Sequence, residues 1–261
     1  MASVQPINVP KPDPGYRVRE LSGASEIKVF LESLLRYPLT ELHRYHQGDI
    51  TELQYGLSRK VLETLDIVRL VIMPSLTWFN LLVGRDLKVQ KYPYLRIARP
   101  NMPRDNIGIH RDTWYGASPY EVSCSLALTQ TDEGSALRVV PGSQSAPDSD
   151  YPTFEEITDV EKGSKRHQLG FVYKRKHLQR PVDDIPVPLG FGSALIFGSS
   201  LVHGQEVNAS NKTRVSIDIR LVNTFAPHIA SRSVHSDYYI PLCEGEITRH
   251  ARLYEENQEK H

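Results

Sequence analysis

Apolar residues recur at helical spacing in the first third of the chain and at alternate positions beyond it. From Ser25 to Arg36, Ile27, Phe30, Leu31, Leu34 and Leu35 share one helical face, and Ser25 followed by Glu26 suits a helix start. From Asp49 to Met73, Leu53, Leu57, Val61, Leu65, Val68 and Ile72 hold the same period, which predicts one long helix. From about Leu87 the pattern shortens to apolar runs with β character. Strands are predicted near 87–99, 120–130, 135–140, 185–188, 193–198 and 213–223. Turn residues separate them, at Pro100-Asn101, Asp132-Glu133-Gly134, Pro141-Gly142, Pro188-Leu189-Gly190 and Asn208 to Asn211. The predicted fold is mainly β with flanking helices, because amphipathic helices need a sheet or each other to cover their apolar faces.

Two strands carry a sharper pattern. In 214–222, Val215, Ile217, Ile219 and Leu221 share one face, and Arg214, Ser216, Asp218 and Arg220 the other. In 121–129, Val122, Cys124, Leu126 and Leu128 oppose Ser123, Ser125, Ala127 and Thr129. A half-exposed sheet would turn its polar face to water. A ligand-holding barrel would turn the same face inward, and the alternation alone leaves both open. Ser143 to Arg180 is polar, mixed in charge and too long for a simple connection, so it reads as an insertion near a functional mouth. The outline is a single domain over 1–261. An irregular lead-in (1–15) precedes a mainly helical part (16–85), a β core with its insertion (86–225, 143–180) and a C-terminal extension (226–261).

Composition narrows the function. The 261 residues carry 31 Lys+Arg and 31 Asp+Glu, so no charge excess recommends a nucleic-acid or anionic-membrane partner. Two cysteines, Cys124 and Cys243, make neither a disulfide framework nor a Cys-rich zinc site. No stretch approaches the ~20 apolar residues of a membrane span, and Met1 to Pro14 lacks a signal-peptide core. A soluble, cytoplasmic protein with a small-molecule substrate is expected; the sequence is silent on oligomeric state.

The candidate chemistry begins at His110-Arg111-Asp112. Residues i and i+2 of an extended strand project from one face, so His110 and Asp112 can converge on one ion. His203, 91 residues after Asp112, follows a strand-like run (Ala194 to Phe197) and can return as the third ligand. Two histidines and a carboxylate form a facial triad that leaves positions for a chelating co-substrate and O₂, which suits Fe(II). The same His-x-Asp pattern recurs at His235-Ser236-Asp237, but no distal histidine and basic strand follow it, so it reads as a surface or structural feature. After His203, Arg214 begins a strand 11 residues on. Its fork suits the free carboxylate of a dicarboxylic co-substrate, with Ser216 on the same face to assist. Gln205 can support the metal or the co-substrate. Trp114 and Tyr115 are candidate aromatic walls for a sugar ring, and Tyr94 and Arg96 candidate cavity residues. The acids Asp148, Asp150, Glu155, Glu156 and Asp159 form either a solvated face or an attractor for a polycation.

Together these residues resemble the Fe(II)/2-oxoglutarate-dependent dioxygenases, whose pattern is His-x-Asp, a distant His, then Arg-x-Ser. Leu126 to Ser143 and Gly192 to Phe197 leading into His203-Gly204 look like the phytanoyl-CoA-hydroxylase-like branch. Tyr92 to Arg96 with His110 to Gly116 is similar to members acting in carbohydrate and aminoglycoside biosynthesis, such as the oxygenase that closes the orthoester of hygromycin B. The resemblance implies a double-stranded β-helix (jelly roll) core. It implies iron on His110, Asp112 and His203, and 2-oxoglutarate held by Arg214, Ser216 and Gln205. It also implies oxidation with release of succinate and CO₂, by hydroxylation or oxidative ring closure. Asp112 argues against halogenation, because related halogenases lack this carboxylate. A cupin-type isomerase or sugar-binding barrel would keep the histidines without needing Arg214 and Ser216, and catalytic zinc also accepts two histidines and a carboxylate.

Overall fold

The computed structural model describes residues 13–227 and 238–258. Strand β1 (Tyr16–Glu20) precedes helices α1 (Ala24–Leu35), α2 (Leu42–Tyr45), α3 (Thr51–Thr64) and α4 (Leu76–Val83). Strands β2 (Leu87–Gln90), β3 (Tyr94–Ala98), β4 (Glu121–Ala127) and β5 (Leu137–Val139) follow. Next come β6 (Thr153–Ile157), the short α5 (Lys165–Gln168), β7 (Lys174–Leu178), β8 (Ile185–Val187), β9 (Ser193–Gly198), β10 (His203–Gly204) and β11 (Arg214–Asn223). Beyond residue 237 lie β12 (Tyr239–Cys243) and α6 (Glu246–Gln258). The second His-x-Asp, at His235 and Asp237, lies outside the described residues.

Helix α1 matches its predicted span and ends where Arg36 turns left-handed (φ 65) ahead of Pro38. The long helix predicted over 49–73 does not form. Leu65 is extended (φ −112, ψ 132), and the Asp66 carboxylate then accepts from the Arg69 N–H (2.9 Å), capping a fresh helical start. A π turn (Val68–Ile72) and a 3₁₀ turn (Met73–Ser75) carry the chain into α4, bent 72° from α3. The bend brings Val71, Ile72 and Phe79 into the same core as Leu57 and Val61. Among the described residues no single helix is long and apolar enough to cross a membrane; α3 with the following arm passes by length and composition only as a bent pair.

The main sheet is antiparallel, in the order β1-β9-β4-β11-β2-β12, with β3 also pairing β11. The predicted 87–99 strand is two strands parted at Lys91-Tyr92-Pro93, and both pair with β11. β1 falls in the segment expected to be mainly helical. Its residues are mostly exposed and polar, so its edge pairing with β9 leaves little apolar signal. A smaller sheet, β10-β5-β8, faces the main one, and the architecture is the double-stranded β-helix with helices packed outside. The insertion contains a separate hairpin, β6 with β7, and the α5 turn.

The open question about the two alternating strands resolves inward. Val215, Ile217, Ile219 and Leu221 of β11, with Cys124 and Leu126 of β4, pack against α1, α3 and α4 in one apolar core. Their polar neighbours are buried as well, Ser123, Ser125, Ser216 and Arg220 being at most 7% exposed. The polar face therefore points into the space between the sheets.

A buried ion pair anchors the helical layer to the sheet. Arg99 clamps Asp105 through two bonds of 2.8 Å and donates to the carbonyls of His46 (2.9 Å) and Gly48 (2.7 Å). Removing one partner of such a pair leaves an uncompensated buried charge, costing about 3–5 kcal/mol. Asp105→Ala is therefore expected to lower the melting temperature by roughly 10 °C at this chain length, read by thermal unfolding; a change of only a degree or two would show that the clamp contributes little.

Candidate active site

His110 and His203 meet across an isolated antiparallel bridge. The His110 N–H donates to the His203 carbonyl (2.7 Å) and the His203 N–H to the His110 carbonyl (2.8 Å). The strands approach so closely that a Cβ on Gly204 would stand 2.2 Å from the Gly108 carbonyl oxygen. A glycine after His203 is thus a steric requirement of the site. Arg111 is extended (φ −107, ψ 140), which returns Asp112 to the side of His110. From Asp112 the chain enters a 3₁₀ turn to Tyr115 instead of continuing as a strand. Arg111 itself points away, pairing with Asp148 and donating to the carbonyls of Ser143 (2.7 Å) and Ala146 (2.9 Å). It ties the start of the insertion to the turn that carries Asp112.

Ligand atoms of His110, Asp112 and His203 lie within 4.8 Å of one another, and all three residues are buried. Each imidazole is fixed in one tautomer. His110 Nδ1 bonds the Gly108 carbonyl (2.8 Å) and His203 Nδ1 the Leu201 carbonyl (2.9 Å). A carbonyl only accepts, so both Nδ1 atoms carry the proton and both Nε2 lone pairs face the site. Burial, reinforced by His110, pushes His203 down to about 4, so it is neutral at ordinary pH. Burial alone would raise the Asp112 carboxyl, but Arg220 beside it, with His110 and His203, holds it well below the usual carboxylate range. Two imidazole nitrogens and one carboxylate are the donor set that Fe(II) accepts, and the residues present fit that ion.

Arg220 carries a role that the sequence pattern did not assign. Its Nη2 donates to Asp112 Oδ1 (2.9 Å), while Ser123 Oγ donates to Oδ2 (3.0 Å). Arg220 stands opposite Ser123 in the β11–β4 register, so both groups reach the carboxylate from the same polar sheet face. Alternation along β11 placed Arg220 on that face; only the register names its partner.

A cavity of about 530 Å³ opens in front of the triad. Arg214, at the start of β11, lies in its wall and is 6% exposed. Its Nη1 donates to Gln205 Oε1 (2.6 Å) and its Nη2 to Ser216 Oγ (3.1 Å), and it forms no ion pair among the described residues. Burial pushes the guanidinium down to about 10, an effect only partly offset by Asp218, and it stays charged at neutral pH. Tyr94, Arg96 and Tyr115 also line the cavity. Arg96 is engaged, binding Asp218 (3.0 Å) and the Leu169 carbonyl (2.9 Å) beneath the Tyr94 ring. The Tyr115 ring sits 5.3 Å from His110. Trp114 is not in the cavity wall; its indole N–H donates to Asp148 (3.1 Å). The insertion does reach the mouth, through Lys162, His167 and Gly170 to Tyr173. Its acids do not: none of the five lines the cavity, and Asp148, Glu155, Glu156 and Asp159 pair with Arg111, Lys174, His177 and Arg104.

Several solved structures share the fold. The apo form of ThoJ, described as a non-heme monooxygenase, is 15% identical with a TM-score of 0.56, covering 90% of this chain and 82% of that one. EvdO2 from Micromonospora carbonacea var. aurantiaca is 16% identical with a TM-score of 0.52, covering 88% and 96%. The epimerase SnoN, solved with Fe3+, alpha ketoglutarate and nogalamycin RO, is 17% identical with a TM-score of 0.50, covering 90% and 91%. No curated protein sequence matches. The family model described as phytanoyl-CoA dioxygenase (PhyH) matches residues 76–216, just over half of the chain, from α4 through both histidines to Ser216. The chain belongs to the phytanoyl-CoA dioxygenase (PhyH) family of non-haem, iron- and 2-oxoglutarate-dependent enzymes.

Proposed function

We propose that this chain is a single-domain, cytoplasmic dioxygenase that oxidises a small sugar-like molecule in a biosynthetic pathway, by hydroxylation or oxidative ring closure. His110, Asp112 and His203 hold Fe(II), and Arg214, with Gln205 and Ser216, takes the distal carboxylate of 2-oxoglutarate. Iron held there would activate O₂, the oxidant, with 2-oxoglutarate consumed to succinate and CO₂. The protein's residues supply position and exclusion of water. Gly108 and Leu201 fix the two imidazoles, Arg220 and Ser123 fix the carboxylate, and the Tyr94 and Tyr115 walls bound the reaction space.

One observation carries this reading: Arg214 is a buried cation that forms no ion pair among the described residues, in the same cavity as the triad. Burying a charge is expensive unless it is paired, and a dianionic co-substrate is the missing partner. A cupin-type isomerase or sugar-binding barrel has no use for it. The fold shared with SnoN, which was solved with alpha ketoglutarate and an antibiotic-related ligand, supports a biosynthetic setting. The pairing of the insertion's acids outside the cavity weighs against a polycationic aminoglycoside and for a neutral sugar.

Titrating 2-oxoglutarate into the anaerobic Fe(II) protein is expected to give a weak visible charge-transfer band, and adding O₂ to give succinate. A protein showing neither would return the cupin-type reading. Coupled succinate formation across sugars and aminoglycosides then ranks substrates.

A further inference from the structure

One wall of the cavity belongs to neither of the two facing sheets. Between β6 and β7 the chain runs through Lys162, His167, Gly170, Phe171, Val172 and Tyr173, all of which line the cavity. The apolar residues of this segment, Val160, Leu169 and Phe171, form a small cluster with Tyr55 of α3 and Ile107, apart from the core under the main sheet. Its outer side is tied down by exposed ion pairs, Lys165 with Glu52 (2.5 Å) and Asp159 with Arg104 (2.5 Å). Such pairs contribute little in water. A satellite cluster and surface ion pairs describe a segment that detaches far more readily than the sheets.

Its inner side is fastened from the main sheet by Arg96 of β3. Arg96 Nη1 donates to the Leu169 carbonyl (2.9 Å), while Nε binds Asp218 (3.0 Å). The fit is close. Gly170 is left-handed (φ 82), and a Cβ there would stand 3.0 Å from Arg96 Nη2 and 3.2 Å from the Tyr94 ring. Gly163 is left-handed as well (φ 86), so two glycines bracket the four-residue α5. A short helical turn between two such points can swing as a unit, because the backbone change is absorbed at its ends.

We infer that residues 159–173 form a hinged strap over the cavity, and that Arg96 is the positioning residue that latches it and not a contact for the substrate. The strap closes over the filled and the empty cavity alike, so it scales ligand entry and exit by one factor and leaves affinity unchanged. The test is Arg96→Lys, which keeps the charge beside Asp218 but lacks the fork that binds Asp218 and Leu169 together. Stopped-flow mixing of the anaerobic Fe(II) protein with 2-oxoglutarate, followed by the charge-transfer band, reads the rates. Association and dissociation should both quicken about ten- to a hundredfold, the scale of one lost hydrogen bond to a charged group, with Kd within about threefold. This arm rests on the dioxygenase reading; a second arm needs no metal. The bonds after Lys165 and Arg166 lie in α5, so trypsin acting on the folded protein cuts them from the open strap. Cleavage there follows the open population and should quicken by the same factor, with fragments identified by mass. Gly170→Ala presses on Arg96 from the strap's side and should act alike; it serves if the lysine variant does not fold. Unchanged cleavage at these two bonds would overturn the inference, and so would a raised Kd without faster association. A natural protein that gives no band with 2-oxoglutarate would sink the dioxygenase reading, and the trypsin arm alone would then decide the strap.

Discussion

Asp112→Ala is expected to abolish stable Fe(II) binding and to lower succinate formation by roughly a thousandfold or more, the scale set by losing the metal that carries the chemistry. Asp112 supplies the only negative charge of the proposed metal set, and its carboxylate is already oriented, one oxygen by Arg220 and the other by Ser123. The alanine variant has a second consequence, because it removes the carboxylate that the buried Arg220 binds directly. Breaking a buried pair costs about 3–5 kcal/mol, so the variant should also melt several degrees lower. Asp112→Asn separates the two effects. Its amide oxygen still accepts from Arg220 and its volume is unchanged, so the fold should survive while the anionic ligand is lost. Iron content after desalting and anaerobic absorbance with 2-oxoglutarate read the metal, and melting reads the fold. Full iron occupancy and turnover in Asp112→Asn would remove Asp112 from the metal set.

The residues of this centre differ in how legible they were. His110, Asp112 and His203 are types with few alternative roles once a strand return is inferred, and alternation on β11 carries Arg214 and Ser216 onto one face. Arg220 sits on that same face, yet its function depends on standing opposite Ser123, a matter of inter-strand register that a single strand does not contain. Trp114 shows the reverse error. Its place beside Asp112 in the sequence suggested a cavity wall, but the 3₁₀ turn rotates it toward Asp148, because a turn does not keep the strand's two-residue period.

The helical layer shows the same limit. Apolar spacing persists from Leu53 through Ile72 although the helix stops at Thr64. The period reports which residues face the core and not whether the axis is straight. The local signal was Asp66, a cap residue whose carboxylate takes the Arg69 N–H. β1 was hidden for a different reason: as an exposed edge strand it has little to bury, so its hydrogen bonds to β9 leave no mark in hydropathy. The polar cavity face was the hardest to read. Buried serines and arginines look like a solvated face until a second sheet closes over them.

Arg214→Met is expected to raise the KM and Kd for 2-oxoglutarate about a hundred- to a thousandfold while leaving the iron site intact. Two charge-assisted bonds to a carboxylate contribute about 1.5–3 kcal/mol each. Part of that loss is offset, since methionine buries no charge. A net 3–4 kcal/mol corresponds to the stated range. Arg214→Lys keeps the charge but not the fork, and its ammonium cannot bind both Gln205 and the ligand in the present plane. It should fall between the two, roughly tenfold weaker than the natural protein. The split between constants matters more than the size of either. A residue that binds only the far end of the co-substrate, as proposed for Arg214, acts equally in ground and transition states, so saturating 2-oxoglutarate should restore much of kcat. A variant with normal KM but collapsed kcat would place Arg214 at the reacting centre instead. Unchanged constants would leave a buried, uncompensated guanidinium with no function in this family's chemistry.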